Sequence, residues 1–318
     1  TYGAIFGADE LKTAISGLYR SVGTEEIITT HGAAGANHLA LYSLVEPGDA
    51  VVSVMPTYQQ LYSIPESYGA KVRILKLKKE ENFLPNLDRL RTLVNEKTKI
   101  ICINNPNNPT GALIPEETLR GIVEIARGVG AYVLCDEVYR FLTQEDGYPE
   151  SIADLYEKGI AVGSMSKVFS LAGLRLGWIA TRSKEAMREI LLHRDYDTIS
   201  CGMIDEALAG IALEAKEAII GRNRGIVKEN LAVLDAWVTK EPRFSYVKPH
   251  CGTTALLYCD VDMPSEEFCS KLLAETGAFL TPGSCFDEEH CFRIGYACNK
   301  RELEEGLAKL SEFVKGLA

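Results

Sequence analysis

Short apolar runs alternate with amphipathic stretches along the first two-thirds of the chain, and this alternation constrains the fold more than any other feature. Helix-like stretches at 35–45, 87–94 and 115–127 lie between runs that have the length of a strand. Near-continuous apolar strands separated by helices are typical of a mostly parallel sheet that is covered on both faces. The sequence therefore predicts an α/β fold with a seven-stranded, mostly parallel sheet between helices. The predicted strands are 26–30, 50–54, 71–75, 99–104, 131–135, 160–163 and 176–180.

The last third of the chain has a different pattern. A long helical region is predicted over 204–237, with a break near Gly221, and two further helices begin at Ser265 and Lys300. The pattern predicts a smaller α+β domain that the long helix joins to the first domain. We place the large domain at residues 1–212 and the small C-terminal domain at residues 213–318. The predicted strands of the small domain are 244–247, 255–259, 279–280 and 291–296.

Charge and composition limit the classes of partner that the chain can bind. The chain has 318 residues, and 34 Lys and Arg residues against 44 Asp and Glu residues give a formal net charge of −10. Because phosphate neutralisation supplies most non-specific affinity for nucleic acids, an acidic chain without a basic run is a poor nucleic-acid binder. The sequence also has no apolar run long enough to span a bilayer. We therefore expect neither a nucleic-acid partner nor a membrane partner.

The nine cysteines indicate a reducing environment. Their number is odd, and no two of them have the Cys-x-x-Cys spacing of a structural zinc site, so we expect no metal ligands among them. Several lie inside apolar runs, as buried thiols do. A cytoplasmic location fits this pattern best.

Small or polar residues follow five of the predicted strands at the point where each strand ends. Because ligands of open α/β sheets bind beyond the carboxyl ends of the strands, we expect these residues to converge on one ligand. Taken singly, each has an ordinary structural interpretation, such as a turn at Asn108 or a helix cap at Asp136. Their order along the chain makes a common site the better interpretation. They are Gly32, Ala33 and Ala34, then Tyr58, then Asn108, then Asp136 and Tyr139, and then Ser164 and Lys167.

The run from 164 to 178 indicates the ligand. Lys167 follows an apolar strand, Ser164 lies three positions before it, and Arg175 lies eight positions after it. An amine can form a Schiff base with an aldehyde. A hydroxyl group and a planar guanidinium group suit a phosphate. The ligand that carries both an aldehyde and a phosphate is pyridoxal 5'-phosphate (PLP).

At these residues the chain resembles the class I/II aminotransferases, which are PLP-dependent enzymes of fold type I. The resemblance covers nearly the whole chain. It is strongest in the run 164–178, in Asn108-Pro109-Thr110-Gly111 and in Asp136-Glu137-Val138-Tyr139. It implies the two-domain fold described above and PLP as the cofactor.

The resemblance also implies a role for each site residue. Lys167 would hold PLP and move the substrate proton, and Asp136 would pair with the ring nitrogen so that the ring acts as an electron sink. Arg293, in Cys291-Phe292-Arg293-Ile294-Gly295, would bind the substrate α-carboxylate, with Asn108 beside it. The other implied contacts are Asn108 and Tyr139 on the ring oxygen, Tyr58 stacked on the ring, and Ser164, Arg175 and the backbone of Gly32, Ala33 and Ala34 on the phosphate.

Two further segments suggest a homodimer with shared active sites. Tyr2 opens a segment whose tyrosine, in similar proteins, reaches the phosphate of the neighbouring subunit. The stretch 193–200 resembles a loop that can enter the neighbour's site. Relatives have several dozen residues ahead of Tyr2, so we expect this chain to lack the N-terminal arm of the family.

The function that the resemblance implies is transfer of an amino group between an L-amino acid and a 2-oxo acid through a Schiff base at Lys167. The same residues also support a β-eliminating carbon–sulfur lyase, a cyclase or a racemase, because the site stabilises a carbanion and the substrate decides its fate. A ligand-sensing domain of a transcription regulator is a further alternative from a different class. The last alternative is a relative of the family that binds PLP but catalyses no reaction.

Overall fold

The computed structural model describes residues 1–317 and contains the seven-stranded sheet. Its strands are β1 (Ile27–Thr30), β2 (Ala50–Met55), β3 (Lys71–Lys76), β4 (Thr98–Asn104), β5 (Tyr132–Asp136), β6 (Gly159–Ser164) and β7 (Gly177–Ala180). They lie in the order β1-β7-β6-β5-β4-β2-β3. Strand β7 runs antiparallel to β1 and β6, and the other neighbouring pairs are parallel. The predicted mostly parallel sheet is confirmed.

Both faces of this sheet are buried, which explains why its strands are apolar almost without interruption. In β4, Ile100 and Cys102 belong to one apolar core, while Ile101 and Ile103 belong to the core on the opposite face. This alternation follows from the two-residue period of a strand. The helices of this part are α1 (Asp9–Ser16), α2 (Gly32–Leu44), α3 (Gln60–Ser67), α4 (Leu87–Leu93), α5 (Glu116–Val129), α6 (Ile152–Leu155) and α7 (Lys184–Asp197).

A second, four-stranded sheet forms the smaller domain, as predicted. Its strands are β8 (Phe244–Tyr246), β9 (Thr254–Cys259), β10 (Thr281–Pro282) and β11 (Cys291–Gly295), and its helices are α10 (Ser265–Thr276) and α11 (Lys300–Gly316). The strands are all antiparallel and lie in the order β10-β11-β9-β8. Phe268, Phe292 and Leu307 belong to a third apolar core in this domain. The predicted boundary between residues 212 and 213 stays a prediction.

Two helices precede this sheet where one interrupted helix was predicted. They are α8 (Met203–Glu214) and α9 (Lys216–Lys240), and the break lies at Ala215 and not near Gly221. Ala215 has φ −96° and ψ 17°, outside the helical geometry. Gly221 lies inside α9, and an interior glycine costs a helix only about 1 kcal/mol, which a 25-residue helix tolerates.

The predicted strand 279–280 is also displaced along the chain. The register pairs Thr281 with Arg293 and Pro282 with Phe292, so the strand begins two residues later than predicted. Phe279 is 73% exposed and so lies outside the apolar core that its side chain suggested.

Within residues 1–317, each helix is too short or too polar to cross a membrane.

Candidate active site

The carboxyl ends of β4, β5 and β6 lie side by side. The register pairs Asn104 with Asp136, and it pairs Ser164 with Gly177 of β7. The side-chain amide of Asn104 donates a hydrogen bond of 2.8 Å to the backbone oxygen of Asp136. The loop that carries Lys167 therefore begins at the edge of the sheet where Asp136 ends β5.

Asp136 is a buried carboxylate, with 3% of its surface exposed. Its Oδ2 accepts a hydrogen bond of 2.9 Å from Asn37 Nδ2, and its Oδ1 accepts one of 3.2 Å from the backbone N–H of Val138. Burial raises the pKa of Asp136, and these two hydrogen bonds and the charge of Lys167 oppose the rise. A buried carboxylate of this kind suits a cationic nitrogen as a further partner.

Asn37, which contacts the candidate residue Asp136, was not predicted from the sequence. It lies in α2, fully buried, and not at a strand end, where the ligands of open α/β sheets are expected to bind. The sequence does contain a signal for Asn37, because it is a single amide on a helix face that otherwise buries Ala36, Leu39 and Ala40. Among residues 1–317, no group donates to Asn37 Oδ1.

Lys167 lies in the loop after β6, and its side chain is exposed. The Nζ atom is 5.8 Å from the centroid of the Tyr139 ring. Tyr139 is buried, and a Cβ atom on Gly252 would lie 3.5 Å from its ring, so the backbone of Gly252 supports the tyrosine closely. Ser164 is also buried, and its hydroxyl oxygen accepts a hydrogen bond of 3.3 Å from the N–H of Ser166.

The first turn of α2 and the side chain of Arg175 lie together in a corner that has donors for an anion. The helix begins at Gly32, three residues earlier than predicted, so Gly32, Ala33 and Ala34 form its first turn. The N–H groups of a first helical turn have no partner within the helix, and the helix dipole favours an anion there. A Cβ atom on Gly32 would lie 2.8 Å from Arg175 Nη2, and one on Gly177 would lie 2.7 Å from Ala33 N. Glycine at both positions therefore keeps the corner open.

Arg293, on β11 of the small domain, is linked to the same sheet edge. Its Nη1 donates a hydrogen bond of 3.1 Å to Asn108 Oδ1, and its Nη2 donates one of 3.1 Å to Thr281 Oγ1. The guanidinium group lies 5.3 Å from the centroid of the Phe286 ring. The backbone N–H of Asn108 donates 2.7 Å to Asn104 Oδ1. Two hydrogen bonds therefore connect Arg293 with the strand end beside Asp136.

Two predicted tyrosines are exposed. Tyr58 follows β2 with 41% of its surface exposed, and it stands next to Thr57, whose buried hydroxyl has no hydrogen-bond partner in the described part of the chain. Tyr2 is 80% exposed. Its predicted contact is with a second copy of the chain, so its role stays a prediction.

The residues present fit PLP. The corner at Gly32 and Arg175 has the donors for a phosphate, the buried carboxylate of Asp136 can pair with a ring nitrogen, and the amine of Lys167 can meet an aldehyde. The unpaired Asn37 Oδ1 beside Asp136 also indicates a polar ligand, because buried polar atoms normally have a partner.

Comparison with known families agrees with this assignment. The family model described as "Aminotransferase class I and II" matches residues 1–310. The chain belongs to the class I and II aminotransferases. Members of this family use PLP, so the chain is a PLP-dependent aminotransferase and the predicted cofactor is confirmed.

The relatives of this aminotransferase have more than one name. It is 30% identical over 311 residues to capreomycidine synthase from Streptomyces vinaceus, a match that covers 98% of this chain and 80% of that protein. It is also 30% identical over 330 residues to an aspartate aminotransferase from Pyrococcus horikoshii, covering 98% of this chain and 82% of that protein. The structure of a PLP-dependent aminotransferase from Streptococcus suis has a TM-score of 0.97 and 46% identity, covering all of this chain and 84% of that chain.

Proposed function

We propose that this aminotransferase moves an amino group between an L-amino acid and a 2-oxo acid, with Lys167 as its catalytic lysine. The observation that carries the proposal is the position of the Lys167 loop and the buried carboxylate of Asp136 at one sheet edge, beside the corner at Gly32 and Arg175. Arg293 is joined to that edge through Asn108. Its guanidinium group would supply a cation for the substrate carboxylate.

The cofactor contacts that we propose are the predicted set. Asp136 would pair with the ring nitrogen and hold its proton, and Lys167 would meet the aldehyde. When bound, PLP supplies an electron sink for the electron pair left on a substrate carbon. The remaining contacts would be the phosphate with Gly32, Ala33, Ala34, Ser164 and Arg175, the ring oxygen with Asn108 and Tyr139, and the ring face with Tyr58.

The chain's own residues would then orient the substrate and move its proton. Arg293 would grip the α-carboxylate with two parallel N–H donors, which fixes the rotation of the substrate about its Cα atom. Lys167 Nζ would take the proton from the substrate Cα as a general base and hold it for return as a general acid. The ring of the buried Tyr139 lies beside this amine, with its centroid 5.8 Å from Lys167 Nζ.

An exposed apolar stripe on α8 supports the homodimer. Ile204, Leu208 and Ile211 follow the helical spacing and are 76%, 46% and 63% exposed. A stripe of this kind is typical of an interface. The segment that carries Tyr2 and the stretch 193–200 would complete the neighbour's site. Residues 193–197 of that stretch form the end of α7 and not a loop, so only 198–200 lie outside the helix. The domain boundary that we propose lies between residues 212 and 213. All nine cysteines are free thiols, which supports a reducing, cytoplasmic location.

A second candidate is another PLP-dependent reaction on the same residues, such as β-elimination, cyclisation or racemisation. The 30% identity to a protein named capreomycidine synthase, at 98% coverage of this chain, supports this candidate. The same carbanion serves each of these reactions, and the groups that face the substrate side chain decide between them.

The deciding experiment mixes the purified protein with PLP and follows its visible spectrum while L-amino acids are added one at a time, with 2-oxo acids withheld. Loss of the visible band, reversed by adding a 2-oxo acid, establishes amino transfer and identifies the donor. A band that persists while pyruvate and ammonia accumulate establishes β-elimination instead. A protein that forms no visible band with PLP overturns the proposal.

A further inference from the structure

Helix α9 buries two asparagine side chains on the face that it presents to the protein. Asn223 is 5% exposed and Asn230 is 1% exposed, and the same face buries Val227 and Leu231. Burying an amide costs free energy unless it is hydrogen-bonded, and an apolar residue would avoid that cost. The partners of the two amides therefore indicate what they do.

Asn223 holds the loop of the catalytic lysine. Its Nδ2 donates a hydrogen bond of 2.8 Å to the backbone oxygen of Val168, which is the residue directly after Lys167. Its Oδ1 accepts a hydrogen bond of 2.9 Å from Arg222 Nη1, so both ends of the amide are engaged. The backbone position from which Lys167 extends is thus fixed to α9.

Asn230 holds the strand of the substrate arginine. Its Nδ2 donates hydrogen bonds of 2.8 Å to the backbone oxygens of Tyr296 and Cys298. These residues lie three and five positions after Arg293, where the chain leaves β11. The end of the strand that carries Arg293 is thus fixed to the same helix.

A third polar side chain of α9 reaches the segment that follows Tyr139. Arg224 Nη2 donates a hydrogen bond of 2.6 Å to the backbone oxygen of Glu145, and its Nε donates one of 3.3 Å to the backbone oxygen of Thr143. Side chains of one helix therefore contact the chain just after each of three proposed site residues, Lys167, Tyr139 and Arg293.

We infer that Asn223 and Asn230 are positioning residues, and that α9 acts as a spacer which sets the separation between Lys167 and Arg293. Residues seven apart on an α-helix are separated by about 10 Å and lie on nearly the same face, and a helix holds that spacing rigidly. Such a spacer matters because the distance from a substrate's α-carboxylate to its Cα proton is fixed, and a small misplacement of either group slows the reaction. The inference rests on the proposed roles of Lys167 and Arg293.

The test separates the two ends of the spacer. The variants are Asn223→Ala and Asn230→Ala, each paired with an Asn→Asp variant that keeps the shape and loses the amide donors. Lys228→Ala is the matched control, because Lys228 is exposed on α9 between the two asparagines. The readouts are thermal unfolding, the pH titration of the visible band of the PLP-loaded protein without substrate, and the separate values of kcat and KM for the amino donor.

We expect the two positions to affect different readouts. Asn230→Ala raises KM about tenfold, changes kcat less than about twofold and leaves the midpoint of the visible titration at its wild-type pH. Asn223→Ala shifts that midpoint and lowers kcat, while KM changes less than about twofold. The Asp variants behave like the Ala variants, and Lys228→Ala behaves like the wild type.

The inference is overturned if Asn223→Ala and Asn230→Ala both keep wild-type values. It is also overturned if all readouts change equally in these two variants. If neither substitution at a position gives a cooperatively unfolding protein, the asparagine has a structural role and the inference is also overturned. A wild-type protein that forms no visible band with PLP defeats the proposed function. If the wild-type protein forms the visible band and the variants behave like it, only the inference about the spacer is overturned.

Discussion

Asn37 and Asp136 are 99 positions apart in the sequence, and their side chains are joined by a buried hydrogen bond of 2.9 Å. The bond ties the inner face of α2 to the carboxyl end of β5. It also acts on the chemistry of the carboxylate, because donation to the ionised form opposes the rise in pKa that burial causes.

Replacing Asn37 with Leu is expected to raise the pKa of Asp136 further, because the largest opposing contribution is lost. The proposed mechanism needs Asp136 ionised, so the acidic limb of the pH profile of kcat/KM moves to higher pH. Activity is lost chiefly at low pH and recovers towards alkaline pH. Ser43→Ala, on the same helix, is the control. A profile that falls uniformly at every pH would contradict the role of this hydrogen bond.

Lys167→Ala is expected to lower kcat by about a thousandfold, because the variant loses the proposed general base. The fold should survive, since the Lys167 side chain is exposed. Thermal unfolding and the visible spectrum with PLP are measured beside turnover. Lys184→Ala removes another exposed lysine and should behave like the wild type. Full activity in the Lys167 variant would refute the assignment of the site.

Arg293→Lys keeps the positive charge but removes the planar pair of donors. We expect KM for the amino donor to rise about tenfold or more with a smaller change in kcat, because ammonium is a poor substitute for a bidentate guanidinium group. Steady-state kinetics with the best donor measure the change. Arg301→Lys, on the exposed start of α11, serves as the control. An unchanged KM would show that another residue binds the carboxylate.

Glu137 is expected to make stability depend on pH. Burial raises its pKa from 4.5 to about 7, although Arg140 and hydrogen bonds from Ile152 and Ser151 oppose the rise. The folded state therefore holds this proton more tightly than the unfolded state. Its contribution to stability is present below pH 4.5 and is lost as pH rises to about 7, a change of roughly 3 kcal/mol.

Urea unfolding of the wild type and of Glu137→Gln between pH 4.5 and pH 8 tests this expectation. The free energy of unfolding of the wild type should fall relative to that of the variant across this range and then level off. Taking the difference removes the contribution of Asp136, which both proteins share. Parallel curves for the two proteins would rule out the titration of Glu137.

The stripe on α8 is expected to hold the dimer together. Ile204→Glu with Ile211→Glu places two charges on it, and burying unpaired charges at an interface is costly. Light scattering after size-exclusion chromatography should change from a dimer mass to a monomer mass. Glu214→Ala, an exposed change at the end of the same helix, should keep the dimer. A doubly charged variant that stays dimeric would place the interface elsewhere.

The alternation of strands and helices was enough to predict the large sheet, and hence the edge where Asp136 and the Lys167 loop meet. It could not predict Asn37, because the partner of a helical amide depends on how the helix packs against a strand distant in sequence. The break at Ala215 was missed for a related reason. Glycine marks a weak point in an isolated helix, but tertiary packing decides where a long helical region ends.

The contact between Arg293 and Asn108 fixes which way an amide faces. A guanidinium group has donors only, so the oxygen of the Asn108 amide must point towards Arg293, as it does at 3.1 Å. The NH2 group of Asn108 is then turned away and can serve only an acceptor. The contact with Arg293 on one side of Asn108 therefore dictates the polarity that the amide offers on its other side. Asn108→Asp would present two acceptors and reverse that polarity without changing the shape of the side chain.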